Sequence, residues 1–169
     1  MIIGCAGVLC LALTLSGWLG GYRVNTTPSY PLGLWRIDMP DRPVQVGDRI
    51  FICPPDTPMF RQALRRGYLR FGLCKGGFGP MIKTVLATGG QTFCVRDRVR
   101  IDGRQVDHSV VARVDGAGRQ LTAYGGGIVP EQDLFLYSAF KGSYDSRYFG
   151  PISRTGVLGF AREVLTDVP

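Results

Sequence analysis

Of the 20 basic residues in this 169-residue chain only three are lysines, Lys75, Lys83 and Lys141, and lysine alone can give up its proton near neutral pH. Lys75 and Lys141 stand beside glycines in polar stretches, where water would hold them as ordinary ammonium ions. Lys83 stands instead inside Met81-Ile82-Lys83-Thr84-Val85-Leu86-Ala87, flanked by Ile82 and, two residues on, by Val85. A strand there can aim the amine into an apolar site. A fall of roughly 3 units from ~10.4 would make it a usable base, at a cost to folding of about 4 kcal/mol. A neutral lysine beside a serine hydroxyl is a known nucleophile–base pair. The same heptapeptide also suits a lysine on the outer face of an edge strand, and residue pattern alone favours that plainer alternative.

Other chemistries find less to work with. A histidine-dependent triad would rest on His108, the only histidine, which follows a turn in Arg104-Gln105-Val106-Asp107-His108-Ser109-Val110 and reads as an exposed polar residue. The five cysteines form no CxxC pair, so no metal site is expected, and no cofactor either. Cys5 and Cys10 fall in the N-terminal apolar run. Cys53 and Cys74 both border Gly/Pro-rich stretches; a disulfide in an oxidising compartment and buried free thiols are equally open. No carboxylate pair is singled out by its spacing.

The elements that must position these groups are short. The chain holds 24 glycines and 11 prolines, which implies many turns. Strands are expected at Leu34–Ile37, Arg49–Cys53, Met81–Ala87, Thr92–Val95, Val99–Ile101, Leu134–Ser138 and Val157–Val164. Pro58–Arg66 has helical composition, with proline near its start and Gly67 as its stop. Val24–Pro31, with prolines at 28 and 31, leaves no room for regular structure and reads as an extended segment. Residues 107–127 read as a polar, glycine-rich excursion, and Cys74–Pro80 and Lys141–Gly150 as loops. The fold class expected is mainly β, a barrel-like domain with one short helix.

Residues 2–20 carry no charged side chain. As a helix they would span about 28 Å, close to the ~30 Å hydrocarbon core of a bilayer. Trp18 and Tyr22 close the run, where amphipathic rings favour the interface. The basic n-region and shorter core of a cleavable signal are missing, so residues 1–22 are expected to be a membrane anchor and 23–169 one soluble domain. Direction is poorly signalled, because Arg23 follows the run and no Lys or Arg precedes it. The net charge of +7 comes from arginines spread between Arg23 and Arg162, with no run longer than Arg65-Arg66. Nucleic acid is therefore not an expected partner.

Three boxes carry a resemblance. Thr27-Pro28-Ser29-Tyr30-Pro31-Leu32-Gly33-Leu34-Trp35 resembles the nucleophile box of type I signal peptidases. Lys83 in Met81–Gly90 resembles their lysine box. Ser143-Tyr144-Asp145-Ser146-Arg147-Tyr148-Phe149-Gly150 is similar to their third box. Their order and the preceding apolar run agree too, and the similarity is strongest to the conjugative-transfer branch of that family, in Asn25–Trp35 and around Cys53-Pro54-Pro55 and Gly72–Gly77. Tyr30 in place of the common methionine, and Thr88-Gly89-Gly90-Gln91 in place of a Pro-Gly-Asp ending, depart from it.

The resemblance implies a signal-peptidase-like β-rich domain carried by one transmembrane helix. It implies Ser29 as nucleophile and Lys83 as general base. The Thr27 hydroxyl would join the Ser29 backbone N–H at the oxyanion, and Ser143 would orient the lysine. Asp145 and Arg147 would form a supporting pair, the aspartate being counted among the catalytic residues in the conjugative branch. It further implies the inner membrane with the site on the periplasmic side, a protein precursor (a pilin or secreted preprotein) as substrate, and conjugation machinery as partner. In that branch the precursor's own amine resolves the acyl-enzyme and yields a cyclic pilin. A general leader peptidase, a self-cleaving regulator with the same chemistry, and a non-catalytic membrane-tethered pilus scaffold are the alternatives. The apolar run and the missing DNA-binding helices count against the regulator.

Overall fold

A computed structural model of the chain describes residues 16–167. The expected membrane anchor therefore lies outside the described residues as far as position 15. Residues 16–19 are helical, and among the described residues no helix is long and apolar enough to cross a membrane.

The chain is mainly β, as expected. The strands are β1 (Tyr22–Asn25), β2 (Gly33–Asp38), β3 (Arg49–Ile52), β4 (Phe71–Cys74), β5 (Met81–Thr88) and β6 (Thr92–Val95). There follow β7 (Val99–Ile101), β8 (Arg104–Gln105), β9 (Gly126–Ile128), β10 (Asp133–Tyr137), β11 (Ile152–Ser153) and β12 (Val157–Thr166). Helix α1 is Pro58–Arg65, and α2 is the short turn Ser146–Phe149. Seven strands form one sheet in the order β1-β2-β12-β3-β5-β10-β11, and four form a second, β8-β7-β6-β9.

Strand β5 is central in the larger sheet and decides which way Lys83 points. It pairs antiparallel with β3 on one side, Ile50 opposite Lys83, and with β10 on the other, Tyr137 opposite Thr84. Side chains alternate along a strand. Met81, Lys83 and Val85 therefore share a face, and Met81 and Val85 belong to the main core with Ile50, Ile52, Phe60, Leu136 and Phe149. The opposite face carries Ile82, which packs with Trp35 and Phe51. A central strand leaves no outer edge for the lysine, so the plainer sequence alternative does not apply.

Several stretches differ from the sequence expectation: β4, β8, β9 and β11 match no expected strand, β9 beginning inside the expected 107–127 excursion, and two further stretches differ in kind. Val24–Pro31 is not wholly irregular: its start belongs to β1, which pairs with β2 from Tyr22–Arg36 to Asn25–Gly33. The prolines act only from position 28 onward, leaving the earlier N–H groups free to join a ladder. Gly33 closes this hairpin at φ +132°, where an added Cβ would lie 2.2 Å from the Leu165 carbonyl oxygen, so only glycine fits. Lys141–Gly150 is not a solvated loop either. Ser143 and residues 145–150 are buried, and Asp145 caps α2 through the Arg147 N–H. Its polar composition reflects buried groups paired with one another rather than with water. The cysteine question also resolves: Cys53 and Cys74 form a disulfide with their Cα atoms 5.6 Å apart, tying the end of β3 to β4.

Candidate active site

Lys83 is only 4% exposed. Its Nζ donates to Ser143 Oγ at 2.7 Å. Burial brings the ammonium down from its ordinary 10.5 to about 8; Asp145 pulls the other way and Arg147 adds to the fall. The shift is somewhat smaller than composition suggested, because the Asp145 carboxylate still favours the charged form.

Ser143 is held by a buried ion pair. Asp145 and Arg147 are both 0% exposed, and the guanidinium meets the carboxylate side-on, Nε to Oδ1 and NH2 to Oδ2, each at 2.8 Å. The same guanidinium donates to the carbonyls of Ser143 and Phe140 at 3.2 Å and Ser138 at 3.3 Å, and through NH1 to Val110 at 2.8 Å. It thereby fixes the turn that presents the Ser143 hydroxyl. The free oxygen capacity of Asp145 is taken up by the Ser138 N–H at 3.1 Å.

Ser29 sits in the turn between β1 and β2. Asn25 organises that turn: its Nδ2 donates to the carbonyls of Thr27, Tyr30 and Pro31 at 2.9–3.0 Å. Its Oδ1 accepts from the Thr27 N–H at 3.1 Å and from Thr27 Oγ1 at 2.7 Å. The Thr27 hydroxyl proton is thus directed at Asn25, and an oxyanion ligand would have to draw it away. Trp35 Nε1 closes the turn on the Pro31 carbonyl at 3.0 Å.

The turn is docked on the strand that carries the lysine. Tyr30 OH shares a 2.7 Å hydrogen bond with Thr84 Oγ1 and donates to the Tyr137 carbonyl at 3.1 Å. Ser138 Oγ donates to the Ser29 carbonyl at 2.7 Å. β10 stops pairing with β5 at Tyr137, which leaves the β5 backbone beyond Thr84 unpaired on that side, and the Ser29 turn comes in there. Ser29, Thr27 and Lys83 line one cavity of about 210 Å³, walled on the other side by Tyr68, Phe140 and Tyr144. The Ser29 hydroxyl makes no hydrogen bond among the described residues and is half-buried.

The fold thus brings Ser29, Thr27, Lys83, Ser143, Asp145 and Arg147 into one region, the first three on the cavity and the ion pair behind it. His108 lies elsewhere, on the excursion after β8, at φ 55°. No group of three or more His, Cys, Asp or Glu side chains suited to a metal is present among the described residues. Asn25 and Ser138 were missed by sequence reasoning. Asn25 carries a usable signal, an asparagine ahead of a proline-bearing turn. Ser138 carries little, because apart from the Phe140 N–H its partners include groups 7 and 109 positions away.

Comparison with known proteins adds the following. The family model of signal peptidases, peptidase S26, matches residues 1–166. A conjugal transfer protein TraF of Agrobacterium fabrum is 53% identical, covering 99% of this chain and 95% of its own length. A probable conjugal transfer protein TraF of Sinorhizobium fredii is 54% identical, over 100% and 91%. A plasmid transfer protein TraF of Escherichia coli is 38% identical, over 95% and 92%. Among solved structures, a signal peptidase I of Enterococcus faecalis aligns with 70% of this chain and 97% of its own, at 22% identity and a TM-score of 0.42.

Proposed function

The chain belongs to the signal peptidase family, peptidase S26, and from that premise we propose that it is a membrane-anchored serine endopeptidase in which Lys83 activates Ser29 to process a protein precursor for conjugative transfer. The observation that carries this reading is the buried Lys83 amine, near pKa 8, on the same small cavity as an unpartnered serine hydroxyl.

On this reading neutral Lys83 takes the Ser29 proton as Oγ attacks the scissile carbonyl, and Ser143 holds Nζ in line. The Ser29 backbone N–H and the Thr27 hydroxyl receive the oxyanion, each donor contributing about 3 kcal/mol. Asp145 and Arg147 act one step back by fixing Ser143 and Ser138. The names of the TraF relatives support conjugation as the setting, and a pilin as the precursor is the finer form of the proposal. The Cys53–Cys74 disulfide supports an oxidising compartment and hence a catalytic domain on the periplasmic side of the inner membrane.

Mass spectrometry of the precursor in cells carrying Ser29→Ala, Lys83→Ala or His108→Ala tests it. The first two are expected to abolish processing and the third to preserve it. Processing that survives Ser29→Ala would instead favour a scaffold. A product lighter than the linear one by one water would mark cyclisation, the expectation carried by the conjugative branch.

A further inference from the structure

The cavity at Ser29 and Lys83 is bounded by side chains that also face a neighbouring space. A second cavity of about 410 Å³ shares Tyr68, Phe140, Gly142 and Tyr144 with it and reaches out to residues 112–121. Those residues belong to the stretch that sequence reasoning treated as a polar excursion, yet they are folded into a wall. Leu121 N donates to the Arg113 carbonyl and Asp115 N to the Arg119 carbonyl, both at 2.9 Å, which makes a tight hairpin. Asp115 Oδ1 accepts from the N–H groups of Ala117 and Arg119 at its tip. The hairpin is pinned across the groove: Tyr68 OH donates to Asp115 Oδ2 at 2.5 Å, and Arg119 NH2 donates to the Arg66 carbonyl at 3.0 Å.

We propose that this second cavity receives the residues that follow the scissile bond, and then the nucleophile that resolves the acyl-enzyme. The inference rests on the serine–lysine reading above and follows from where the proton must go. Ser29 Oγ–H gives its proton to Nζ as the Oγ–C bond forms. The C–N bond then breaks, and the same proton passes from Nζ to the leaving nitrogen. That nitrogen must therefore lie on the Nζ side of the carbonyl, opposite the Thr27 side where the oxyanion points. Nζ is bonded to Ser143 Oγ, and Ser143 itself lines the second cavity. In the second half the water oxygen or amine nitrogen bonds the acyl carbon while giving a proton to Nζ, the Oγ–C bond breaks, and that proton returns to Ser29 Oγ. It uses the same approach, vacated by the leaving peptide. The Tyr68 and Tyr144 rings, 5.0 Å apart between centroids, make the passage aromatic and favour an apolar side chain just after the cut.

Val114 is half-exposed on the hairpin and lines only the second cavity, so Val114→Trp fills that space with little threat to folding. Two peptides identical up to the scissile bond serve as probes, one continuing for several apolar residues, the other ending in a small chromogenic amine. Val114→Trp is expected to lower kcat/KM roughly tenfold for the extended peptide and to leave the short one unchanged. Equal effects on both, or none on either, would overturn the inference. In the Ser29→Ala background, fluorescence anisotropy should show the extended peptide binding about tenfold more weakly with Val114→Trp, and a peptide ending at the scissile residue binding alike. Equal binding of the extended peptide would also overturn it. Absence of turnover in the parent chain would count against the serine–lysine reading, while the anisotropy comparison would still decide the cavity's role.

Discussion

At the scale of single residues, the fold pays for Lys83 in stability, and that penalty is measurable. Between pH about 8 and 10.5 the unfolded chain binds a proton at this position that the folded chain does not, so stability rises with pH across that window. The penalty is fully present below about 8, amounts to about 3 kcal/mol, and is gone above 10.5. Lys83→Met should therefore stabilise the chain by about 2 kcal/mol at neutral pH, after a loss of about 1 kcal/mol for the Ser143 hydrogen bond. Denaturant unfolding of the detergent-solubilised chain checks this. The difference between variant and parent should shrink by pH 10.5, and a difference that ignores pH would contradict the burial account. Lys83 stood out in the sequence as the one lysine inside an apolar run, but that pattern alone favoured an outer edge-strand position, and only the resemblance of the three boxes turned it toward a buried base. Ser29 was legible only through the boxes around it, since nothing local separates it from other serines. Ser138 was not legible: its local bond from the Phe140 N–H resembles any serine turn, and its bond to the Ser29 carbonyl comes from 109 positions away.

At the scale of elements, the site depends on where β10 stops and on the buried turn that follows it. The ion pair of Asp145 and Arg147 holds that turn, so its removal should be felt first as lost structure. Asp145→Ala leaves a guanidinium buried without its carboxylate and should destabilise by about 3–5 kcal/mol. The double change Asp145→Ala with Arg147→Leu should recover part of that loss, because no orphan charge remains. Thermal unfolding of the parent and these two variants distinguishes this from a purely chemical role, in which Asp145→Ala would leave the melting temperature unchanged. Period-two runs and glycine turns marked β2, β3, β5, β6, β7, β10 and β12, but not β1 or the short strands β4, β8, β9 and β11. Strand β1 was missed although Tyr-Arg-Val-Asn alternates, because it is only four residues long and lies between the apolar run and the prolines at 28 and 31; the ladder with β2 supplies what so short a segment cannot. The Lys141–Gly150 stretch misled for a related reason: composition reports polarity, whereas burial depends on whether polar partners are brought together.

At the scale of the whole molecule, one covalent link between distant segments contributes to the stability of the fold. The Cys53–Cys74 disulfide closes a loop with a sequence separation of 21, and a link of that length contributes about 3 kcal/mol. Unfolding with and without reductant, or with Cys53→Ser and Cys74→Ser together, should show a loss of that order; no change would mean that β4 is held by packing alone. The β class was readable from turn density, and helix α1 from its composition, the proline at its start and Gly67 as its stop. The division into a seven-stranded and a four-stranded sheet was not, because strand order depends on long-range pairing such as β12 entering between β2 and β3.

The pH dependence of kcat/KM, measured on a short peptide substrate with the detergent-solubilised full chain, tests the central proposal most directly. The rate should rise with pH through a single acid limb centred near 8, as Lys83 loses its proton, and Lys83→Arg should be inactive at every pH. A flat profile from about pH 6 to about pH 9, or an active Lys83→Arg chain, would contradict the assignment of Lys83 as the base.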